Sequence, residues 1–231
     1  MALIEAIRRS GGGVFRRSSL PVRNQRLSLL PTCRWSSCFV RNPSTSAPRE
    51  APTPLLFVSA KDWDIDSSRG VDKLATILSM KGFTCVHCDL SPPTVPLSDS
   101  NELMQHFVAD LVANLRLSWQ SPFPPVLFAR SAAALIAQKY ISSYSVTAMM
   151  LMGDIPSTNA DVPKNLLPTP LAEFNFEPTF PIALLTTPRE MDRLRTTNRL
   201  AQADVDLLTA EELGSQEALL KIEGWLDDLG I

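Results

Sequence analysis

Val126-Leu-Phe-Ala-Arg-Ser131-Ala-Ala-Ala-Leu-Ile-Ala-Gln-Lys-Tyr140 is the stretch on which the fold turns. Pro122-Phe-Pro-Pro125 breaks the chain just before it. Val126–Ala129 is then a short apolar run of strand type, and helix-forming residues begin at Ala132 with no loop between them. A strand that feeds straight into a helix opens a βα unit. Ser131 stands at the junction, with the small residues Ala129 and Ala133 two positions to either side. A turn this tight tolerates only small flanks. It lifts the serine hydroxyl above the sheet and directs the helix N-terminus, with the Ala132 N–H, toward a developing oxyanion. Ser131 is therefore a candidate nucleophile; a serine here also serves as a plain helix N-cap.

The same alternation extends in both directions. Upstream, Pro54–Ser59 reads as a strand, Gly70–Lys81 as a helix with Val71, Leu74, Ala75 and Leu78 on one face, and Phe83–Cys88 as a second strand. Asp99 followed by Glu102 forms a capping-box pattern ahead of a long amphipathic helix ending near Trp119. Downstream come strand 146–152, an irregular Pro-rich segment 153–180, strand 181–186, a helix over 190–203, a short strand 204–208 and a last helix capped by Ser215. Strands alternating with helices imply a three-layer, doubly wound α/β fold around a mostly parallel sheet of about six strands. In such sheets ligands bind at the carboxyl ends of the strands.

The charge divides the chain. Of 231 residues at formal net charge −2, the first fifty carry nine Arg, no Lys, and only Glu5 and Glu50 as acids, a net +7. Residues 51–231 stand at −9. An Arg- and Ser-rich, acid-poor start that opens on the amphipathic MALIEAIRRS has the composition of a mitochondrial presequence. Residues 1–50 thus read as presequence plus flexible lead-in, with processing between Arg34 and Glu50 and delivery to the matrix. Residues 51–231 read as the folded domain. On this reading Cys33 and Cys38 leave with the presequence. No apolar run reaches the ~18–20 residues of a membrane span. The acidic domain speaks against nucleic-acid binding. Arg189, Arg193, Arg195 and Arg199 form a basic run on one predicted helix, read as a solvated face with an anionic ligand or lipid surface as the alternative. There is no Gly-x-Gly-x-x-Gly and no phosphate-loop Lys motif.

Cys85-Val86-His87-Cys88 has the spacing of a redox or metal motif, but it lies within a strand, where that spacing sends the two thiols to opposite faces. The expectation is a structural role, with no metal and no cofactor.

From residue 55 to 229 the order and spacing of these elements resemble the α/β-hydrolase superfamily. The resemblance implies that Ser59-Ala-Lys-Asp-Trp63 is the oxyanion-hole loop, with Ala60 and Lys61 joining Ala132 as donors. It implies that 153–180 occupies the position of a lid, and that Asp192 or Asp154 is the triad acid. The triad histidine is expected in the loop Thr209–Ser215, and that loop has none. His87 and His106 both precede Ser131. Without a general base a serine hydroxyl is a poor nucleophile near neutral pH. Two functions follow. One is a degenerate hydrolase-fold protein that binds an apolar or acyl small molecule, or a mitochondrial protein. The other is a serine acyl hydrolase or thioesterase using Ser131 with a nonstandard base.

Overall fold

A computed structural model describes residues 36–118, 121–156 and 166–231. Seven strands form one sheet: β1 (Ser37–Arg41), β2 (Ala51–Ser59), β3 (Phe83–Asp89), β4 (Val126–Arg130), β5 (Ala148–Met152), β6 (Ile182–Thr186) and β7 (Asp206–Thr209). Their order is β1-β3-β2-β4-β5-β6-β7, with every neighbouring pair parallel except β1–β3. The central strands β4, β5 and β6 are apolar except for Arg130 and Thr186 at their carboxyl ends, because both of their faces are covered.

Among the described residues five α-helices cover the sheet. Helices α1 (Val71–Met80) and α5 (Gln216–Asp228) close one face around Phe57, Phe128 and Trp225. Helices α2 (Ser100–Ser118), α3 (Ala133–Ile141) and α4 (Pro188–Thr197) close the other around Leu56, Phe107, Leu127 and Leu151. Right-handed crossovers produce this division wherever the chain reverses its direction of travel across the sheet. The reversal falls between β2 and β4, so the carboxyl ends of these two strands flank the switch point.

The sheet has one strand more than the sequence predicts. The addition is β1, which lies within the stretch read as flexible lead-in. Its five residues pair antiparallel with β3, Ser37 opposite Asp89 through Arg41 opposite Cys85. The segment after it is fastened as well. Arg41 pairs with Asp72, the Ser44 N–H donates to the Ser79 carbonyl (2.9 Å), and Arg49 pairs with Asp227 (2.7 Å). Gly82, at φ +109°, sits where a Cβ would lie 1.8 Å from the Arg49 carbonyl oxygen, so only glycine leaves room for this segment. Strand β2 starts at Ala51, three residues ahead of the expected Pro54. The expected presequence helix, Cys33 and Trp119 lie outside the described residues.

Helix α4 is also displaced from the expected 190–203. Thr187 caps it with Pro188 in its first turn, and it ends at Asn198, whose side chain accepts from the Leu200 N–H (2.9 Å). Residues 166–180 are irregular. Leu166, Leu167, Leu171, Phe174, Phe176 and Phe180 pack onto the α2/α3 side of the core. Residues 157–165 of the lid-like stretch lie outside the described residues.

Candidate active site

Strand β4 delivers Ser131 to the switch point in a strained backbone conformation. Its φ is +54°, and it is the one non-glycine residue with positive φ among the described residues. Left-handed backbone costs an L-residue about 1–2 kcal/mol. A serine that merely caps a helix has no need of it. Ser215, the true cap of α5, lies in the extended region (φ −79°, ψ 164°), as does Thr187 ahead of α4 (φ −72°, ψ 155°). Helix α3 starts with no side-chain cap. The strain is held by backbone bonds: the Ser131 N–H donates to the Met152 carbonyl (3.0 Å), and the Ala134 N–H to the Ser131 carbonyl (3.0 Å). This is the geometry of a nucleophile elbow rather than of an N-cap.

Ser131 opens into a polar hollow of about 320 Å³ lined by Asp66, Arg69, Arg130, Asp154, Thr187 and Glu190, among others. Of the two candidate acids, Asp154 lines this hollow, and its carboxylate takes a hydrogen bond from Arg193 (2.8 Å). Asp192 does not line it. It lies on the exposed side of α4, 80% exposed and 3.7 Å from Arg195. Arg130 donates to the Arg69 carbonyl (2.8 Å). Burial, and then the nearby Arg69 charge, pull the Arg130 guanidinium below its ordinary value. An arginine remains charged through such a shift.

Neither histidine lines the hollow. His106 is on α2 with its ring against Phe107, and His87 is in β3. His87 does take part in a grouping that the sequence did not reveal. Its Nε2 is 2.9 Å from the Ser59 hydroxyl, which in turn donates to Asp89 Oδ1 at 2.7 Å. Serine, histidine and aspartate therefore meet, but in an unreactive order. Asp89 takes the only hydroxyl proton, so His87 Nε2 must be the donor to Ser59 and cannot act as its base. Ser59 is wholly buried. Burial also holds the His87 imidazole below its ordinary value and so keeps it neutral. Cross-strand proximity of residues 59, 87 and 89 in the β2–β3 register was the missing signal.

All three N–H groups identified as oxyanion donors are already bonded within the fold. The Ala60 N–H donates to the Ser67 hydroxyl (2.9 Å), and the Lys61 N–H to Asp89 Oδ1 (2.9 Å). The Ala132 N–H, next to the nucleophile position, donates to Asp64 Oδ2 (2.9 Å). The second oxygen of Asp64 accepts from the Asp66 N–H (3.1 Å) and starts the 3-10 turn Ile65–Ser68. A carboxylate thus sits where a developing oxyanion would need its donor. Lys61 is exposed, and the Thr209–Ser215 loop contributes only Leu213 to the hollow.

The turn bearing Asp64 also shapes a second cavity. Trp63 Nε1–H donates to the Leu166 carbonyl (2.9 Å), and its ring packs tilted against Phe107, 5.1 Å between centroids. Together with Pro92, Pro96, Leu103 and Leu167, Trp63 lines an apolar groove of about 380 Å³. Among the described residues no group of His, Cys, Asp and Glu could hold a metal ion, and no helix is long and apolar enough to cross a membrane.

No protein-family profile matches the chain, and no curated protein is similar to it in sequence. Solved structures are similar to it in shape. An esterase from the planctomycete Thermogutta terrifontis, solved with butyrate bound, superposes with a TM-score of 0.57 at 13% identity, covering 84% of this chain and 90% of its own. An α/β serine hydrolase without a lid from Xanthomonas campestris gives 0.52 at 13% identity, covering 84% and 87%. An α/β hydrolase from Sphaerobacter thermophilus gives 0.51 at 13% identity, covering 85% and 96%. The chain has the α/β-hydrolase fold. Within that fold β4 and β2 are neighbouring strands, and the loop after β2 faces the turn that bears Ser131 across the switch point.

Proposed function

We propose that this α/β-hydrolase-fold protein acts by binding rather than by hydrolysis at Ser131. The observation that carries the reading is the Asp64 carboxylate on the Ala132 N–H. A substrate carbonyl would have to displace a charge-assisted bond to reach its first oxyanion donor, and it would meet a serine with no histidine beside it. Fold alone does not decide function, so the reading rests on these site residues.

The ligand we assign is a small apolar or acyl molecule in the groove beside Trp63. The groove is lined by Trp63, the neighbour of Asp64 in the same turn, and has a size and lining suited to an alkyl chain. The Arg-rich, acid-poor start of the chain supports mitochondrial import. Processing then falls ahead of Ser36, because Ser36 already belongs to the domain: its hydroxyl bonds Asp110 and accepts from the Ser91 N–H (2.8 Å).

The second reading, a serine acyl hydrolase with a nonstandard base, is favoured by one observation: the strained φ of Ser131. Such strain persists where the surroundings impose it, and it gathers at active sites. Decanoate binding by calorimetry, paired with turnover of p-nitrophenyl decanoate, separates the two readings. The binding reading expects decanoate to bind the wild type, Trp63→Ala to weaken that binding, and ester turnover to be the same in wild type and Ser131→Ala. Turnover that depends on Ser131 would establish the hydrolase reading instead.

A further inference from the structure

Strand β1 brings Cys38 directly opposite Cys88 in the antiparallel register. Directly opposed residues on antiparallel strands have Cα atoms about 4.5–5.5 Å apart, within the span of about 4.4–6.8 Å that a disulfide bridges. Both thiols lie on the α2 side of the sheet, Cys88 within the core there and Cys38 packed against it. Cys88 is completely buried there, whereas Cys38 is half-buried at the sheet edge. Cys85 faces the other side of the sheet, among the residues under α1. The partner of Cys88 is therefore not its Cys-x-x-Cys neighbour but a cysteine fifty residues earlier in the chain.

We propose that Cys38 and Cys88 are a peroxide-sensitive dithiol, in which Cys38 is the reacting sulfur and Cys88 the resolving one. The Cys38 thiolate attacks one oxygen of a hydroperoxide. The O–O bond breaks, the sulfur is oxidised to a sulfenic acid, and the departing alkoxide or hydroxide takes a proton from water. The Cys88 sulfur then attacks the sulfenic sulfur. An S–S bond forms, the S–O bond breaks, and the hydroxide leaves as water with the Cys88 thiol proton. A thiol reductant reverses the change. The neighbouring Cys88 thiol, against the opposing effect of burial, holds the Cys38 thiol below its ordinary value, while the neighbouring Cys38 and burial hold Cys88 above. This order agrees with the accessibility of the two sulfurs. Cys85 has no such help; burial pushes it up to about 12. The disulfide would bind the edge strand β1 covalently to β3, which is otherwise its sole strand neighbour.

The test uses the full chain. Wild-type protein and the variants Cys33→Ser, Cys38→Ser and Cys85→Ser are exposed to hydrogen peroxide, unfolded in N-ethylmaleimide, digested and read by mass spectrometry. The proposal expects a peptide pair joined through Cys38 and Cys88 in the wild type, Cys33→Ser and Cys85→Ser proteins. It expects that pair to disappear with dithiothreitol. In Cys38→Ser, Cys88 should still take up maleimide after peroxide. Four results would overturn it: Cys38 oxidised to sulfinic acid while Cys88 stays free, Cys38 joined to Cys33, Cys88 oxidised in Cys38→Ser as fast as in the wild type, or no oxidation of either thiol at peroxide levels that modify the exposed methionines.

Discussion

Two pieces of backbone meet at the switch point, and they have opposite characters. The elbow, Arg130–Ala132, is held in a conformation its own residue disfavours, with Ser131 at positive φ. The facing turn, Ser59–Ser68, has the Ala60, Lys61 and Asp66 N–H groups satisfied by its own and neighbouring side chains: Ser67, Asp89 and Asp64. One side is strained and presents a hydroxyl, and the other is relaxed and closed. A hydrolase needs both sides, since a raised serine without open donors and a base has little to stabilise its transition state. The elbow comes with the strand-to-helix connection of the fold, whereas open donors depend on loop side chains. The two halves of such a site can therefore part company.

Each side can be perturbed separately. The largest effect is expected from Asp64→Ala, which strips the acceptor from the Ala132 and Asp66 N–H groups at once. Loss of a hydrogen-bonded carboxylate at this half-buried position should cost about 2 kcal/mol in urea unfolding, with Asp64→Asn costing less because its amide oxygen still accepts. Next is Ser59→Ala, which removes a buried hydroxyl bonded to both Asp89 and His87. A loss of about 1–2 kcal/mol is expected, on the same assay. Ser131→Gly should have the opposite sign. Relief of the left-handed strain exceeds the added unfolded-state entropy of glycine, for a net gain of about 0.5 kcal/mol. A destabilised Ser131→Gly protein would mean that the serine side chain holds the elbow, and the comparison would fail on that side.

The smallest effect is electrostatic. His87 is held below its ordinary value of 6.5, chiefly by burial. The unfolded chain therefore takes up a proton at a higher pH than the folded one. The contribution of His87 to stability is full above pH 6.5 and is lost as the pH falls from there through the lower folded value. Stability measured at pH 7.5 and 5.5 should fall further in the wild type than in His87→Gln. An equal fall in the two proteins would show that His87 is not kept neutral by the fold.

The frame was readable because its signals are local. Asp99 and Ser215 do cap their helices, with bonds to Glu102 (3.2 Å) and Ala218 (3.2 Å). The apolar runs of β4, β5 and β6 mark strands buried on both faces. Strand β1 was not readable, because SCFVR is five residues long and lies in an Arg- and Ser-rich stretch whose composition suggests targeting. The closure of the donors was not readable either. Asp64, Ser67 and Asp89 are ordinary turn residues in sequence, and Asp64 meets Ala132 across 68 positions only because the sheet order places β2 beside β4. Ser131 could be recognised by its small flanks. The elbow conformation that separates it from Thr187 and Ser215 is a backbone fact that no residue pattern states.

The most direct test of the central claim is covalent labelling with a fluorophosphonate, which reports an activated serine without any need to know the substrate. Folded wild-type protein should remain unlabelled, at the same background as Ser131→Ala, because Ala132 is bonded to Asp64 and no histidine reaches Ser131. Labelling of the wild type that disappears in Ser131→Ala would contradict this and make Ser131 a working nucleophile.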